Sequence, residues 1–411
     1  MADLGGEPRM HRWAEQRWVL DNVIRANGVE WDQGRLSRLV GAIGSEILPE
    51  VAAIRQRVQK FADITPAFEA AARRREAKAM AAEEAGALVT ARENYFIAAS
   101  YWASAQWTIL QNNEHNLFLN RRKRECYSNY ARLAERRVEE ASIPFRDKSL
   151  AGWLHLPANY AGDRIPAIIN ITGMDGFKES TIALYGDRYL NQGCAVLTVE
   201  GPGQYEAAIA GIYMSVPAWA EAGTAITDWL VQRPEIDPDR IGIVGRSFGS
   251  FFSTIAFANE PRLRACAVTG TVLQPGCHAL FEEASPTFKR RFMYMAGILD
   301  EREFDEFAKS ITWAGHAEKI RQPYLCVTGE FDQLSPLEHT ERLFEVLRAP
   351  KTLVIYQGAD HTVSGVPSTA LGPYSPALMS EWMAARMAGK PLTSERCYVD
   401  STGRVNKTAY G

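Results

Sequence analysis

The chain has few cysteines, and none of them is spaced like a metal ligand. The sequence of 411 residues has no CxxC pair and no phosphate-binding loop motif. The simplest interpretation is reduced thiols in the cytosol, and we expect neither a metal nor an organic cofactor. The six cysteines are Cys126, Cys194, Cys266, Cys277, Cys326 and Cys397.

The sequence also lacks a strong net charge and any long apolar run. A formal charge of -3 gives no reason to expect nucleic acid or an anionic membrane as a partner. The opening MADLGGEPRMHRWAEQRW has no apolar core of the kind a secretory signal needs. No later stretch approaches the roughly 18 uncharged apolar residues of a membrane span. We therefore expect a cytoplasmic protein whose partner is a small molecule.

The residues that are present suggest two domains. Hydrophobic residues make up 46% of the chain and charged residues 23%, which is typical of a soluble globular protein. From about residue 8 to residue 137 the sequence is alanine-rich, and apolar residues recur every three or four positions, as in helices. After Arg137 short extended runs take over. We predict an N-terminal helical domain over 1–137 and a second domain over 138–411.

The second domain reads as a mostly parallel sheet. SIPFRD and LAGWLHLP are expected to pair as a hairpin. Six later runs each end in glycine: PAIINITG, CAVLTVEG, DRIGIVG, RACAVTG, PYLCVTG and KTLVIYQG. Helical stretches such as PAWAEAGTAITDWLVQRP lie between several of them, and strands alternating with helices indicate a parallel sheet. Ligands of such sheets bind beyond the carboxyl ends of the strands.

One of these strands leads into IGIVGRSFGSFF, residues 241–252. Gly245, Ser247 and Gly249 have the GxSxG spacing of a nucleophile elbow, a tight turn from strand to helix that exposes a serine hydroxyl. The motif alone is weak, but its place between a strand and a helix strengthens it. A serine hydroxyl is a poor nucleophile at neutral pH, so a general base and an acid to orient it must follow.

His361 is the candidate base because it directly follows a late strand, in KTLVIYQGADHTVSG. His278 is its rival, since it follows an earlier strand at a greater distance. The remaining histidines lie in helical patterns or within a predicted strand.

Asp332 is the candidate acid, in PYLCVTGEFDQLSP, with Glu330 as the alternative. Asp360 is interpreted as structural, because it would have to turn back on its neighbouring histidine. The order Ser247, Asp332, His361 is that of α/β-hydrolases. We predict an α/β-hydrolase fold with a mostly parallel central sheet flanked by helices and an N-terminal helical cap domain.

A serine hydrolase also needs two N–H donors for the oxyanion of its tetrahedral intermediate. The residue after the nucleophile supplies one of them, here Phe248. The second is expected from the loop in ITGMDGFKES, where Met174 is the first choice and Gly173 the alternative.

Several segments together resemble one branch of the α/β-hydrolases. They are INITGMDGFKES, VEGPGQYEAA, IGIVGRSFGS, GEFDQLSP and GADH, behind a helical region carrying YFIAASYWASAQW. The branch includes 2,6-dihydroxypseudooxynicotine hydrolase, fungal heptaketide hydrolyases and fermentation/respiration switch proteins. The resemblance implies a triad of Ser247, Asp332 and His361, a helical domain over the active edge of the sheet, and a homodimer as one expectation. It also implies retro-Claisen hydrolysis of a carbon–carbon bond beside a ketone.

The resemblance leaves the substrate pocket less defined. The branch usually has a small residue at the position of Tyr205 and often a glycine at that of Ser250, and a bulky Tyr205 would reshape the pocket. One relative uses an extra glutamate, for which Glu282 or Glu283 is a loose match. Tyr95 and Trp102 are candidate pocket aromatics, although packing between helices is the simpler interpretation of their spacing.

Three functions are therefore compared. The first is a serine hydrolase that cleaves a carbon–carbon bond in an aromatic or polyketide-like ketone. The second is a carboxylesterase or amidase that uses the same residues and differs in its leaving group. The third is an inactive hydrolase fold that binds a partner, which the presence of all three triad residues disfavours.

Overall fold

The computed structural model describes residues 6–184 and 187–410. The α-helices are α1 His11–Asn27, α2 Arg35–Ile43, α3 Leu48–Arg57, α4 Ile64–Glu84, α5 Leu88–Gln106, α6 Glu114–Leu133, α7 Arg188–Asn191, α8 Tyr205–Ile209, α9 Val216–Val231, α10 Phe248–Asn259, α11 Pro286–Ala296, α12 Glu301–Ala308, α13 Leu337–Val346, α14 Pro367–Leu371 and α15 Ser375–Met387. The strands are β1 Val138–Phe145, β2 Lys148–His155, β3 Ile165–Ile171, β4 Ala195–Glu200, β5 Ile236–Ser247, β6 Ala265–Thr271, β7 Tyr324–Gly329, β8 Lys351–Tyr356, β9 Glu395–Val399 and β10 Val405–Ala409.

The strands belong to one sheet. Within the two described ranges it has ten strands, in the order β1-β2-β4-β3-β5-β6-β7-β8-β9-β10. The run from β4 to β9 is parallel throughout, whereas β2 pairs antiparallel with β1 and β4, and β10 with β9. The predicted fold class is therefore confirmed: this is an α/β-hydrolase sheet with helices around it.

Each glycine-terminated run forms a strand, as predicted, and the first two strands pair as the expected hairpin. Every residue of β4 and of β7 is buried, which explains their continuous apolar sequence, since strands covered on both faces need no polar alternation. Strands β9 and β10 were not predicted. Four of the five residues of β10 are exposed, so this edge strand has no hydrophobic pattern.

The helices α1 to α6 precede the first strand and pack against later parts of the chain. Trp13 of α1 lies under the guanidinium of Arg290 of α11, with 4.4 Å between Arg290 Cζ and the ring centroid. The backbone amide of Arg9 donates to the carbonyl of Leu299 at 2.8 Å. In the described part of the chain, no helix is both long enough and apolar enough to cross a membrane.

A buried cluster of charges connects α6 to the sheet. Lys123 of α6 has a fully buried side chain, and its Nζ lies 3.7 Å from Glu179 and 3.8 Å from both Glu200 and Glu206. Lys178 pairs with the same three carboxylates, at 2.8 Å from Glu179 and 3.4 Å from Glu200. Glu179 of the GFKES segment and Glu200 at the end of β4 therefore both lie close to Lys123 of the helical region.

The lysines of the cluster lower the pKa of two of its acids, Glu179 and Glu206. Burial by itself raises the pKa of Glu179, but the charges of Lys123 and Lys178 outweigh this effect and lower the pKa to about 2. Arg124 adds a third cation near Glu206, with its Nε at 3.7 Å. Three carboxylates therefore face three cations, and the removal of one cation would leave an uncompensated buried charge.

We expect Lys123→Met to lower the free energy of unfolding by about 3–5 kcal/mol, because it breaks this buried cluster from one side. Urea unfolding of the purified variant measures the loss. Arg121→Met is the matched control, since Arg121 is exposed on the same helix; we expect it to change stability by less than about 0.5 kcal/mol. Equal stability of the two variants would show that the cluster does not hold α6 to the sheet.

Candidate active site

The site lies where the strand order reverses. The chain passes from β3 to β4 on one side of β3 and then returns to β5 on the other, and ligands of open α/β sheets bind at such a switch point. Ser247 is the last residue of β5 and directly precedes α10. Its φ of 56° lies in the left-handed region, which is strained for a residue with a side chain. The turn holds the serine above the end of the sheet.

The two glycines of the motif are required by close backbone approach. A Cβ at Gly245 would lie 2.1 Å from the carbonyl oxygen of Gly249, and a Cβ at Gly249 would lie 2.5 Å from that of Ile171. Both distances are far shorter than van der Waals contact. The elbow is thus packed directly against the end of β3.

Ser247, His361 and Asp332 form a continuous series of hydrogen bonds. Ser247 Oγ lies 3.0 Å from His361 Nε2, and His361 Nδ1 lies 2.9 Å from Asp332 Oδ2. An ionised carboxylate only accepts hydrogen bonds, so Nδ1 carries the proton and Nε2 is free to accept from the serine. In this arrangement the imidazole can take the hydroxyl proton.

Asp332 is held by the loop after β7. Its Oδ1 accepts the backbone amides of Leu334 at 3.0 Å and Ser335 at 3.1 Å, and its side chain is fully buried. These contacts aim the carboxylate at His361 and replace the water that burial removes.

The rival acids and the rival base are engaged elsewhere. Glu330 accepts the Gly358 amide at 2.9 Å and the Tyr398 hydroxyl at 3.0 Å. Asp360 accepts the amide of Thr362 at 2.8 Å, as expected for a structural turn. His278 is largely exposed, and its contact is with Glu283 at 3.5 Å.

The loop after β3 lies against the serine. A Cβ at Gly173 would be 2.9 Å from Ser247 Cβ and 3.3 Å from its Oγ, so Gly173 borders the hydroxyl. Gln204 of the GPGQ segment fixes this loop, because its Nε2 donates to the Thr172 carbonyl at 2.8 Å. Among the described residues, neither the Met174 amide nor the Phe248 amide has an acceptor.

The structure adds residues to this loop that the sequence did not single out. Asp175 follows Met174, and its Oδ1 accepts from Trp107 Nε1 at 2.8 Å. Its Oδ2 lies 3.3 Å from Arg35 Nη2, and Arg35 Cζ stacks 3.9 Å from the Trp107 ring centroid. The aspartate of the GMDG segment was the available signal for Asp175, and Trp107 ends the quoted segment YFIAASYWASAQW, whereas no sequence pattern pointed to Arg35.

Tyr205 is buried beside the same loop. Its hydroxyl donates to the Asp175 carbonyl at 3.0 Å, and its ring meets Phe177 edge-on, with 5.9 Å between the centroids. Burial raises the pKa of Tyr205, so the phenol stays neutral. The structure thus places Tyr205 as a support of the loop that borders Ser247.

Three candidate pocket residues form polar contacts with neighbouring acids or bases, and their place in a substrate pocket stays a prediction. Tyr95 donates to Glu83 at 2.9 Å and Trp102 Nε1 donates to Glu76 at 3.1 Å, so both polar groups find partners on α4. Glu282 pairs with Lys289 at 2.6 Å. Buried hydroxyl and indole N–H groups need such acceptors, and the acids of α4 provide them.

No metal site accompanies the serine in the described ranges, where no group of three or more His, Cys, Asp or Glu side chains is arranged to hold an ion. All six cysteines are buried with free thiols.

The chain is similar to curated proteins that are described as hydrolases or hydrolyases. The chain is 30% identical over 253 residues to the α/β hydrolase ucsC of Acremonium sp., covering 55% of this chain and 49% of that protein. It is 30% identical over 135 residues to the hydrolyase poxO of Penicillium oxalicum, covering 31% of this chain and 32% of that protein. The chain thus spans about half or less of the length of these relatives.

Comparison with solved structures supports the same fold. The crystal structure of 2,6-dihydroxy-pseudo-oxynicotine hydrolase superposes with a TM-score of 0.73 at 23% identity, covering 87% of this chain and 98% of that one. The model of the esterase FrsA-like family matches residues 67–306, more than half of the chain. Because this match covers more than half of the chain, the chain belongs to the esterase FrsA-like family.

Proposed function

We propose that this protein is a serine hydrolase in which Ser247 attacks a carbonyl carbon, with His361 as general base and Asp332 as its orienting acid. The observation that carries the proposal is the hydrogen-bonded series, with 3.0 Å from Ser247 Oγ to His361 Nε2 and 2.9 Å from His361 Nδ1 to Asp332 Oδ2. The series lies at the switch point of the sheet, where ligands of this fold class bind.

The first half of the reaction forms an acyl-enzyme. His361 removes the proton of Ser247 as Oγ attacks the carbonyl, and the Asp332 carboxylate stabilises the imidazolium that results. The amides of Phe248 and of Met174 hold the oxyanion, with Gly173 as the alternative to Met174. Both amides lack an acceptor among the described residues, and Phe248 starts α10, so the positive end of the helix dipole faces the developing charge.

The second half releases the products. His361 gives its proton to the leaving group, and water then hydrolyses the acyl-enzyme with the same base. Direct attack by water, with Ser247 polarising the carbonyl, is the other route for a carbon–carbon bond. Mass spectrometry of the quenched enzyme distinguishes the two, since only the first route adds the acyl mass to Ser247.

The bond that is cleaved is the finer part of the proposal. The resemblance of the GMDGFKES and GPGQ segments supports a carbon–carbon bond beside a ketone, split by a retro-Claisen reaction. The carbonyl carbon then becomes the serine ester, and His361 protonates the enolate that leaves. The esterase description of the family favours an ester as the second candidate, which needs the same residues and an alcohol as leaving group.

An aryl 1,3-diketone and an aryl ester with the same acyl group separate these two substrates. We expect the diketone to be split at a rate near or above that of the ester, because the enolate is a stabilised leaving group. We expect Ser247→Ala to lower both rates by about 10⁴-fold or more. Mass spectrometry of the products measures both.

Turnover of the ester alone would assign the protein as an esterase. Full activity of Ser247→Ala on both compounds would contradict the proposed nucleophile.

The two acids on the loop after β7 provide a matched pair of variants. We expect Asp332→Asn to lower kcat by about 10⁴-fold. The amide would favour the His361 tautomer with the proton on Nε2, and that nitrogen could then no longer accept the proton of Ser247. We expect Glu330→Gln to keep kcat within about threefold, because its contacts are with Gly358 and Tyr398. Steady-state kinetics on whichever compound turns over gives both values.

The opposite order of effects would assign the orienting role to Glu330. Thermal unfolding of both variants controls for loss of folding.

A further inference from the structure

Arg291 of α11 is a buried guanidinium with two unused donors. It is 2% exposed, and its Nε and Nη2 have no hydrogen-bond partner. No carboxylate of the described residues forms an ion pair with it. A buried donor that is left unpaired costs free energy, so an unpaired charged group inside a hydrolase points to a ligand.

The two unused atoms form one recognition edge. Nε and Nη2 donate in parallel on the same side of a guanidinium, which matches the two oxygens of a carboxylate. The chain uses this edge elsewhere: Arg75 holds Glu50 with Nε at 2.8 Å and Nη2 at 2.6 Å, and Arg262 holds Glu260 at the same two distances. At Arg291 the same edge is empty.

Arg291 packs against residues that contact the elements of the proposed oxyanion site. Its Cζ lies 4.2 Å from the ring centroid of Tyr205, whose hydroxyl supports the carbonyl of Asp175. The next residue, Phe292, packs on Phe248 with 4.3 Å between ring centroids. Arg291 thus packs on the tyrosine that supports the loop after β3, and its neighbour Phe292 packs on the first residue of α10.

A small cavity borders the same place. Arg291 and Trp107 both line it, and Trp107 Nε1 donates to Asp175 Oδ1 at 2.8 Å. Residues of the helical region and of α11 line the cavity, and one of them, Trp107, contacts the loop after β3.

The charges around the site also favour an anion. The nearby acids Asp32 and Asp175 pair with Arg35, whereas Arg38 and Arg246 have no carboxylate partner among the described residues. Both side chains are exposed, and Arg246 directly precedes Ser247.

We propose that the substrate of the Ser247 site carries a carboxylate, and that Arg291 binds it through Nε and Nη2 while the serine attacks a carbonyl of the same molecule. This inference rests on the proposed function, and it narrows the substrate class to keto acids or half-esters of dicarboxylic acids.

Paired chromogenic esters test the inference on the wild-type protein. p-Nitrophenyl half-esters of succinate, glutarate and adipate are compared with p-nitrophenyl butyrate, valerate and hexanoate, and 3-carboxyphenyl esters with phenyl esters. We expect kcat/KM to be about 10- to 100-fold higher for the anionic member of at least one pair, mainly through a lower KM. Equal values in every pair would overturn the inference and indicate an edge that holds only water.

Variants of Arg291 assign the preference to its edge. We expect Arg291→Gln to abolish the preference, so that the ratio of kcat/KM for the anionic ester to kcat/KM for the neutral ester falls to about one. Arg291→Lys keeps the charge but loses the bidentate edge. We expect this variant to lose most of the preference for the anionic ester. Arg121→Gln removes an equal charge from the exposed face of α6 and should leave the preference unchanged. A preference that survives in both Arg291 variants would overturn the assignment.

Binding measurements separate this inference from the proposed function. Calorimetry of glutarate and of glutaramide with the wild type and with Arg291→Gln needs neither turnover nor Ser247. Hydrolysis of the neutral ester without any anionic preference would leave the function standing and remove the inference. Glutarate binding that depends on Arg291, with no hydrolysis of any ester, would leave the anion site and remove the function. If Arg291→Gln does not fold, as judged by thermal unfolding, the wild-type ester and calorimetry comparisons decide the question.

Discussion

The close approach of β3 and β5 at their carboxyl ends is the constraint on which the site depends. The elbow touches the end of β3 so closely that Gly249 has no room for a Cβ beside Ile171. The same contact places the loop after β3 beside the serine and bends Ser247 to a positive φ. Any increase in this separation would move the hydroxyl, the Phe248 amide and the loop after β3 relative to one another. The rest of the sheet stabilises this one arrangement.

The distinctive polar residues of the GFKES and GPGQ segments support that constraint from one side. Gln204 ties the turn after β4 to the loop after β3. Lys178 and Glu179 bring the buried charges that meet Lys123 of α6. A buried ion cluster is weak evidence for stability in itself, but it allows few alternative packings once formed. Here it determines where α6 lies on the sheet and therefore which parts of the helical region reach the site.

Charge is distributed unevenly around the serine. Asp332 is satisfied by two backbone amides and His361, and Asp175 by Trp107 and Arg35. Among the described residues, Arg38 and Arg246 form no ion pair, and Arg291 has two donors without a hydrogen-bond partner. Unpaired cations repel cationic ligands and attract anionic ones. The carboxylate proposed as the ligand of Arg291 follows from this asymmetry as much as from the empty edge itself.

By itself, the sequence determined the fold class, the strands from β1 to β8 and the order Ser247, Asp332, His361. Ser247 ends β5, and Asp332 and His361 lie in the loops after β7 and β8. The carboxyl ends of parallel strands lie at one edge of the sheet, so the sequence pattern alone predicts that these three residues meet there. Only the tertiary structure decided the surroundings. Tyr95 and Trp102 have the spacing of a helix face, but which neighbour that face meets depends on segments far away in the chain. Arg35 and Arg291 lie on two separate helices and Trp107 directly follows a third, and no local pattern records that packing brings Trp107 close to both arginines.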